Sequence, residues 1–165
     1  MDRQQIALRL SLIELGIEPD MGTFDQRLIM QKAAYLAQAA GVGLGYFFRW
    51  YLRGPYSPDL TSDAFGIQDE LKAGSTEADA WVLDEQSRGK LRGLKPLLSP
   101  PAGQEKARYL ELLASIYFLV SRNQVGGEEP ERVHAILKSN KKDYHLSDVQ
   151  QALVKLRENG LLSTK

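Results

Sequence analysis

The sequence predicts a mainly α domain with a short extended aromatic element and a winged-helix-like C-terminal half. Three observations lead to this prediction. Apolar residues recur at helical spacing through most of the 165 residues. Residues that favour helix N-caps precede several of these runs. One segment, residues 46–52, instead combines aromatic residues of high β propensity and is the best strand candidate in the chain.

The composition fits one soluble globular domain and limits the functions that the chain can have. Hydrophobic residues make up 43% and charged residues 25%, which excludes a disordered chain. Lys plus Arg and Asp plus Glu number 21 each, so the zero net charge argues against a protein that coats nucleic acid non-specifically, although it does not exclude a local basic face. The chain has no cysteine and hence no disulfide, thiolate nucleophile or zinc–cysteine site. The longest apolar run, residues 112–120, is about half the ~20 residues of a membrane span, so we expect a cytoplasmic protein.

Two capped helices open the chain. Asp2 is placed to cap a first helix that reaches Leu15, where a glycine follows as terminator. Thr23 and Gln26 have the spacing of a capping box for a second helix, which runs to about Ala40. The alanines of this second helix indicate that another helix packs closely against it.

The aromatic segment comes next and is followed by a third helix. Residues 46–52 are predicted to form a short extended element, and the Gly-Pro pair at 54–55 is predicted to break it. Ser57 as cap and Pro58 at the first helical position then predict a helix that reaches about Leu71.

A strong break divides the chain into two parts. Asp84 is predicted to cap a fourth helix, whose last turn is disturbed by Pro96. The segment 99–103, with two prolines and a glycine, then separates a first part, residues 1–98, from a second part, residues 104–165. We expect the two parts to form one compact domain.

The second part has the element order of a winged helix-turn-helix. Residues 105–122 are apolar nearly all round, which is typical of a central buried helix. Two amphipathic helices are predicted at residues 130–139 and 147–159, the second capped by Ser147, and Leu161 and Leu162 are predicted to begin a strand. This order predicts a recognition helix that leads into a wing.

DNA binding is therefore one hypothesis for the second part. Gln150, Gln151 and Lys155 are predicted to face outward, where amides and cations can read base edges, and Lys141 and Lys142 lie upstream, where phosphates would lie. Residues 104–165 hold ten basic and eight acidic residues, a net charge of only +2. The alternative, a solvated helix that makes no contact with DNA, fits the same pattern.

Catalysis and metal binding have weaker support in the sequence. His134 and His145, together with Asp143 and Asp148, offer nitrogen and oxygen ligands, but the two histidines lack a fixed short spacing. We therefore expect no metal, no cofactor and no catalytic residues, and hence a protein that is not an enzyme.

The aromatic segment is the best candidate for a binding surface. If the segment is extended, Arg49 and Arg53 share a face with Tyr51, and Arg and Tyr are the residue types that anchor protein interfaces. The alternative is that Phe48, Trp50 and Leu52 fill a core while the arginine stems cover their edges. Both can hold on opposite faces, with Trp50 buried and Arg53 at least partly open. The residues predicted to contact a partner are Arg49, Tyr51, Arg53 and Tyr56.

Three segments carry a resemblance to known proteins. Residues 28–36 (LIMQKAAYL), 45–51 (GYFFRWY) and 54–60 (GPYSPDL) resemble the YwgA-like group of uncharacterised proteins. More distantly they are similar to the SocA/Panacea antitoxin domain, although Trp50 lies four positions before Gly54, which departs from the usual spacing in that domain. The positions that match the shared motif are Gln31, Lys32, Tyr35, Trp50, Gly54 and Pro55.

The resemblance covers about residues 20–70 and implies a mostly helical, non-enzymatic domain that binds a protein partner, as antitoxins bind toxins. A polar pair such as Gln31 and Lys32 inside an apolar helix needs partners if it is buried, so we expect it to lie beneath the Gly-Pro turn and shape it. The predicted function is an antitoxin-like regulatory or protein-interaction module, whose partner is a toxin, another neighbouring-gene product or a second copy of the chain. The alternative is a sequence-specific DNA-binding regulator.

Overall fold

The structure, a computed structural model, describes residues 1–163 and is mainly helical, as predicted. Within these residues it contains seven α-helices and one two-stranded sheet. In chain order the elements are α1 (Arg3–Leu15), α2 (Phe24–Ala39), β1 (Arg49–Tyr51), β2 (Gly54–Tyr56), α3 (Pro58–Lys72), α4 (Glu85–Leu94), α5 (Lys106–Ser121), α6 (Pro130–Ser139) and α7 (Leu146–Glu158), with short 3₁₀ helices at Glu77–Ala80 and Lys95–Leu98.

The first two helices begin and end at the residues that the sequence predicts. The backbone N–H of Gln5 donates to the Asp2 carboxylate at 2.8 Å, and that of Gln26 donates to the Thr23 hydroxyl at 3.1 Å. Both helices therefore start with a complete capping box. Gly16, with a φ of 72°, ends α1 in the left-handed conformation that glycine adopts at little cost.

The predicted caps of α3 and α4 are also confirmed, whereas that of α7 is wrong. Ser57 accepts from a backbone N–H at the start of α3, and Asp84 does so at the start of α4. The last helix begins at Leu146, one residue before the predicted cap Ser147, and the N-cap position is occupied by His145 without a side-chain cap bond. The backbone N–H of Asp148 donates to the His145 carbonyl instead.

The aromatic segment forms a β-hairpin rather than a single extended element. Strand β1 pairs with β2 in antiparallel register, with Trp50 opposite Pro55 and Tyr51 opposite Gly54. The Gly-Pro pair was predicted to break the extended element, but it lies in the second strand. Gly54 has a φ of 88°, and a proline fits a two-stranded ribbon because a strand edge does not need every N–H donor. Leu52 and Arg53 form the turn.

Helices α2 and α5 pack against each other in the centre of the molecule. Ala33, Ala34 and Ala37 of α2 are fully buried, which agrees with the close packing expected from the small residues. Helices α1 and α4 contact each other and α2, while α6 and α7 contact α5, and the hairpin contacts both central helices. One hydrophobic cluster includes side chains from both sides of segment 99–103, so the two parts of the chain share a core.

The chain after α7 is not a strand within the described residues. Gly160 turns the chain with a φ of 74°, and the backbone N–H groups of Leu161 and Leu162 both donate to the Leu156 carbonyl. Leu162 is buried against the core. The prediction of a strand that begins at residues 161–162 is therefore wrong up to residue 163, and residues 164–165 lie outside the described part. In the same part of the chain, none of the helices has the length and apolar character needed to cross a bilayer.

Candidate partner-binding site

The inner face of the hairpin belongs to the core. The Phe48 ring is buried, with its centroid 5.0 Å from that of Tyr35, and the Trp50 ring lies 5.5 Å from that of Phe118. Trp50 was expected to be buried and is only half-buried. Its ring also meets the Lys142 ammonium, which lies 5.4 Å from the ring centroid. These contacts attach one side of the hairpin to α2 and α5.

The polar pair on α2 holds the backbone of the Gly-Pro segment, as expected, although this segment lies in β2 rather than in a turn. Gln31 donates to the Ser57 carbonyl at 2.8 Å and accepts from the Ser57 N–H at 3.0 Å. The Lys32 ammonium donates to the Pro55 carbonyl at 2.6 Å. Both side chains are buried, so these bonds satisfy groups that would otherwise be unpaired.

A group of charges lies behind the hairpin, and all of its members except Arg53 are buried. We call it the charge cluster: Lys32, Arg53, Glu111 and Lys142. The Lys142 ammonium lies 3.5 Å from Oε1 of Glu111 and also donates to the Leu52 carbonyl at 3.3 Å. The guanidinium of Arg53 lies 4.0 Å from the same carboxylate oxygen. The Glu111 carboxylate thus pairs with Lys142 and Arg53 and also attracts the Lys32 ammonium. The cluster contains three cationic side chains and one carboxylate, and so has a surplus of positive charge.

Burial perturbs the acid–base groups of the cluster. Removal from water lowers the pKa of Lys32 to about 7, against the opposing attraction of Glu111, and burial also lowers the pKa of Lys142. The Tyr144 hydroxyl donates to Oε2 of Glu111 at 2.7 Å, and burial raises the pKa of that tyrosine well above its ordinary value. The cluster therefore depends on Glu111 for its only negative charge.

The lowered pKa of Lys32 predicts how stability depends on pH. Between about pH 7 and the unfolded value of 10.5, the unfolded chain holds one more proton at this position than the folded chain, so the free energy of unfolding rises with pH. The slope from this group is at most about 1.4 kcal/mol for each pH unit. Urea unfolding of the wild type and of Lys32→Met across this range measures it, and the free energy of unfolding of the wild type should fall relative to that of the variant as pH falls. Parallel curves would contradict the prediction.

The outer side of the hairpin borders a concave surface that we call the hairpin groove. Its volume is about 530 Å³. Large apolar side chains are exposed there, with Leu52 80% exposed at the turn, and Tyr51, Phe24 and Phe65 also open to solvent. The groove is lined by Phe24, Arg27, Leu28, Gln31, Lys32, Tyr51, Leu52, Arg53, Gly54, Tyr56, Thr61 and Phe65.

The structure brings three of the four predicted partner-binding residues into the groove. Tyr51, Arg53 and Tyr56 line it, and the rings of Tyr51 and Tyr56 lie 5.5 Å apart. Arg53 is open, as expected, with 59% of its side chain exposed. Arg49 is exposed on the hairpin but is not part of the lining.

Several groove residues were missed from the sequence. Leu52 was assigned to the core in one interpretation, but it occupies the turn of the hairpin and is exposed. Phe24 follows the capping residue of α2, and Phe65 lies four positions after Thr61 on one face of α3. A signal for both was available in the sequence. Phe24 and Phe65 lie on capped helices but outside the apolar stripe that faces the core, so each was a candidate for an exposed aromatic side chain.

The residues predicted to contact DNA differ in their exposure to solvent. Lys141, Gln150 and Gln151 are exposed. Lys155 is half-buried with its ammonium 5.0 Å from the centroid of the Tyr109 ring. Lys142 is only 5% exposed and paired with Glu111, so the expectation that it meets a phosphate is corrected.

The histidines considered as metal ligands have other surroundings. Nε2 of His134 forms a hydrogen bond with the Tyr144 carbonyl at 2.8 Å, and His145 is the N-cap residue of α7. Within residues 1–163, no three side chains of the ligand types come together as a metal site would require.

Comparisons of the chain with protein-family models, with curated proteins and with solved structures found no match.

Proposed function

We propose that this chain is a non-enzymatic protein-interaction module that binds a partner protein at the hairpin groove. The observation that carries the proposal is the concentration of exposed apolar side chains around one concave surface. Contiguous apolar surface of this kind is costly to leave in water, and in soluble proteins it marks an interaction site. Tyr and Arg, the side chains that contribute most to protein interfaces, border it at positions 51, 53 and 56.

The rest of the hairpin supports a binding role because it is held rigidly. Lys32 and Gln31 fix the backbone of β2 and the following residues, and Phe48 and Trp50 attach the inner face to the core. A surface whose backbone is fixed before binding loses little conformational entropy when a partner arrives. The resemblance to an antitoxin domain favours a toxin or another neighbouring-gene product as the partner, and a winged-helix-like second part would then serve as scaffold.

Site-specific photo-crosslinking in the native host tests the proposal. A photoreactive amino acid at Leu52, 80% exposed in the groove, is compared with one at Val82, which is 85% exposed but lines a different surface. We expect one protein to crosslink at position 52 and not at position 82, and to form a complex when both purified proteins are mixed. The same crosslinked proteins at both positions, or no complex from purified components, would refute the proposal.

Substitution of the exposed hairpin residues should weaken that complex without unfolding the domain. For the double variant Arg49→Ala, Tyr51→Ala, we expect Kd to rise by about ten- to a hundredfold, because a tyrosine anchor is lost. The melting temperature should stay close to that of the wild type, since both side chains are exposed. Calorimetric titration measures the first and thermal unfolding the second. An unchanged Kd would contradict the assignment of Arg49 and Tyr51 to the partner-binding surface.

A sequence-specific DNA-binding regulator is the second candidate, favoured by the exposure of Gln150, Gln151 and Lys141. The burial of Lys142 and the contact of Lys155 with Tyr109 leave few cations for phosphates on this face. A gel-shift experiment at low salt separates the two candidates. Retention of duplex DNA that is lost in Lys141→Ala and declines steeply with salt would favour the regulator. We expect no retention.

A further inference from the structure

We propose that the hairpin groove binds a segment of a partner protein in which apolar side chains accompany an aspartate or glutamate, whose carboxylate pairs with Arg53. This inference rests on the proposed function and adds the chemistry of the partner. It follows from the charged residues that line the groove and from the hydrogen bonds and ion pairs that these residues already make within the chain.

All the charged residues that line the groove are cations: Arg27, Lys32 and Arg53. Two of them are already engaged with backbone, since Arg27 donates to the Met21 carbonyl at 2.8 Å and Lys32 donates to the Pro55 carbonyl. Arg53 is the most exposed of the three, with more than half of its side chain open to solvent.

The existing carboxylate near Arg53 does not neutralise it. Oε1 of Glu111 lies 4.0 Å from the guanidinium, at the limit of an ion pair, and is closer to the Lys142 ammonium at 3.5 Å. Because the charge cluster has more cations than carboxylates, a second carboxylate beside Arg53 lowers its electrostatic energy. A guanidinium can hold that carboxylate through two parallel hydrogen bonds.

The position of Arg53 also defines where the carboxylate lies relative to the apolar anchors. The guanidinium carbon lies over the Phe24 ring, 5.5 Å from its centroid, so the cation is next to an aromatic side chain of the lining. A bound segment can therefore insert apolar side chains beside Phe24, Leu52 and Phe65 while a neighbouring acidic side chain meets Arg53. A nucleic acid is disfavoured, because a chain of phosphates needs several exposed cations and this groove has one that is largely exposed.

Selection from a random peptide library displayed on phage, with the full chain immobilised, tests the inference. We expect the wild type to enrich peptides that combine apolar residues with Asp or Glu. For one enriched peptide, Arg53→Glu should raise Kd by at least about tenfold, and replacing the peptide's acidic residue by lysine should recover part of that loss. Lys72→Glu is the matched control, since it reverses an exposed charge at the end of α3 outside the groove, and it should leave Kd unchanged.

The outcomes separate this inference from the proposed function. Enriched peptides without acidic residues, whose binding is lost in Leu52→Asp but unchanged in Arg53→Glu, would overturn the inference and leave the proposed function intact. Binding that is indifferent to Leu52→Asp would overturn both. If a single-stranded homopolymeric RNA displaced the peptide, the inference would be overturned, and the ligand of the groove would be a nucleic acid rather than an acidic protein segment. If Arg53→Glu unfolds the chain, Arg53→Gln takes its place, with a smaller loss of affinity and a weaker dependence of Kd on salt as the expected result.

Discussion

Gly54→Ala is expected to destabilise the domain by about 3 kcal/mol, the sum of backbone strain and overpacking. Gly54 has a φ of 88°, a conformation that an L side chain rarely adopts. A Cβ at this position would also lie 2.6 Å from the hydroxyl oxygen of Ser115 on α5, and Ser115 is fully buried, so the overlap is not relieved by movement into solvent. Chemical denaturation in urea, with the slope checked against the wild type, measures the loss.

Two variants separate the parts of this effect. Gly74 has a similar φ of 84° and nothing within 4 Å of a built Cβ, so Gly74→Ala should cost only the backbone strain of about 1 kcal/mol. In a Ser115→Ala background the overlap disappears, and Gly54→Ala should then cost little more than Gly74→Ala. The Ser115 hydroxyl has no hydrogen-bond partner among the described residues, so its removal alone should not destabilise the domain. Equal costs for the two glycine variants in the wild type would contradict the argument.

Glu111→Ala should destabilise the domain by about 3–5 kcal/mol, the range for breaking a buried ion pair from one side. The substitution leaves Lys142 buried without its carboxylate, removes the attraction that favours the protonated form of Lys32, and removes the acceptor of the Tyr144 hydroxyl. The large effect thus comes from the charges that remain, rather than from the strength of the contact that is lost. Urea unfolding at neutral pH measures it.

The matched control is an exposed acid in an ion pair of similar length. Oε1 of Glu85 lies 3.3 Å from the Arg88 guanidinium and that side chain is largely exposed, so Glu85→Ala should cost no more than about 0.5 kcal/mol. In the double variant Glu111→Leu, Lys142→Met, both charges are replaced by apolar groups, and most of the stability should return. If Glu111→Ala cost no more than Glu85→Ala, the charge cluster would not have the structural role described.

The helices could be predicted because their signals are local. A capping residue and an apolar stripe lie within a few positions of each other, which is why Thr23 and Gln26 locate the start of α2 and why α6 has the bounds predicted for it. The position of Gln31 and Lys32 could also be predicted, because a buried polar pair must find acceptors and the nearby carbonyls of Pro55 and Ser57 provide them.

The hairpin and the charge cluster depend on contacts between distant positions, which the residue pattern does not reveal. Strand pairing of Trp50 with Pro55 was missed since proline and glycine suggest a break when only local propensity is considered. Lys142 was assigned to a DNA-facing surface because it lies just upstream of the predicted recognition helix, but its partner Glu111 lies on α5, far away in the chain. The clue was Glu111 itself, the one charged residue among residues 109–121 of α5, since a buried carboxylate requires a cation.

The support of the hairpin has a consequence for the order in which the chain folds during synthesis. Lys142 donates to the Leu52 carbonyl from ninety positions downstream, and Arg122 of the segment after α5 donates to the Phe48 carbonyl at 3.2 Å. Neither donor has been synthesised when the hairpin leaves the ribosome, so the aromatic side chains of the hairpin are exposed until these downstream residues are present. Nascent chains with exposed apolar segments are the substrates of chaperones. The groove consequently reaches its final form only after Lys142 has been synthesised, so we expect a partner that needs the finished groove to bind after that point.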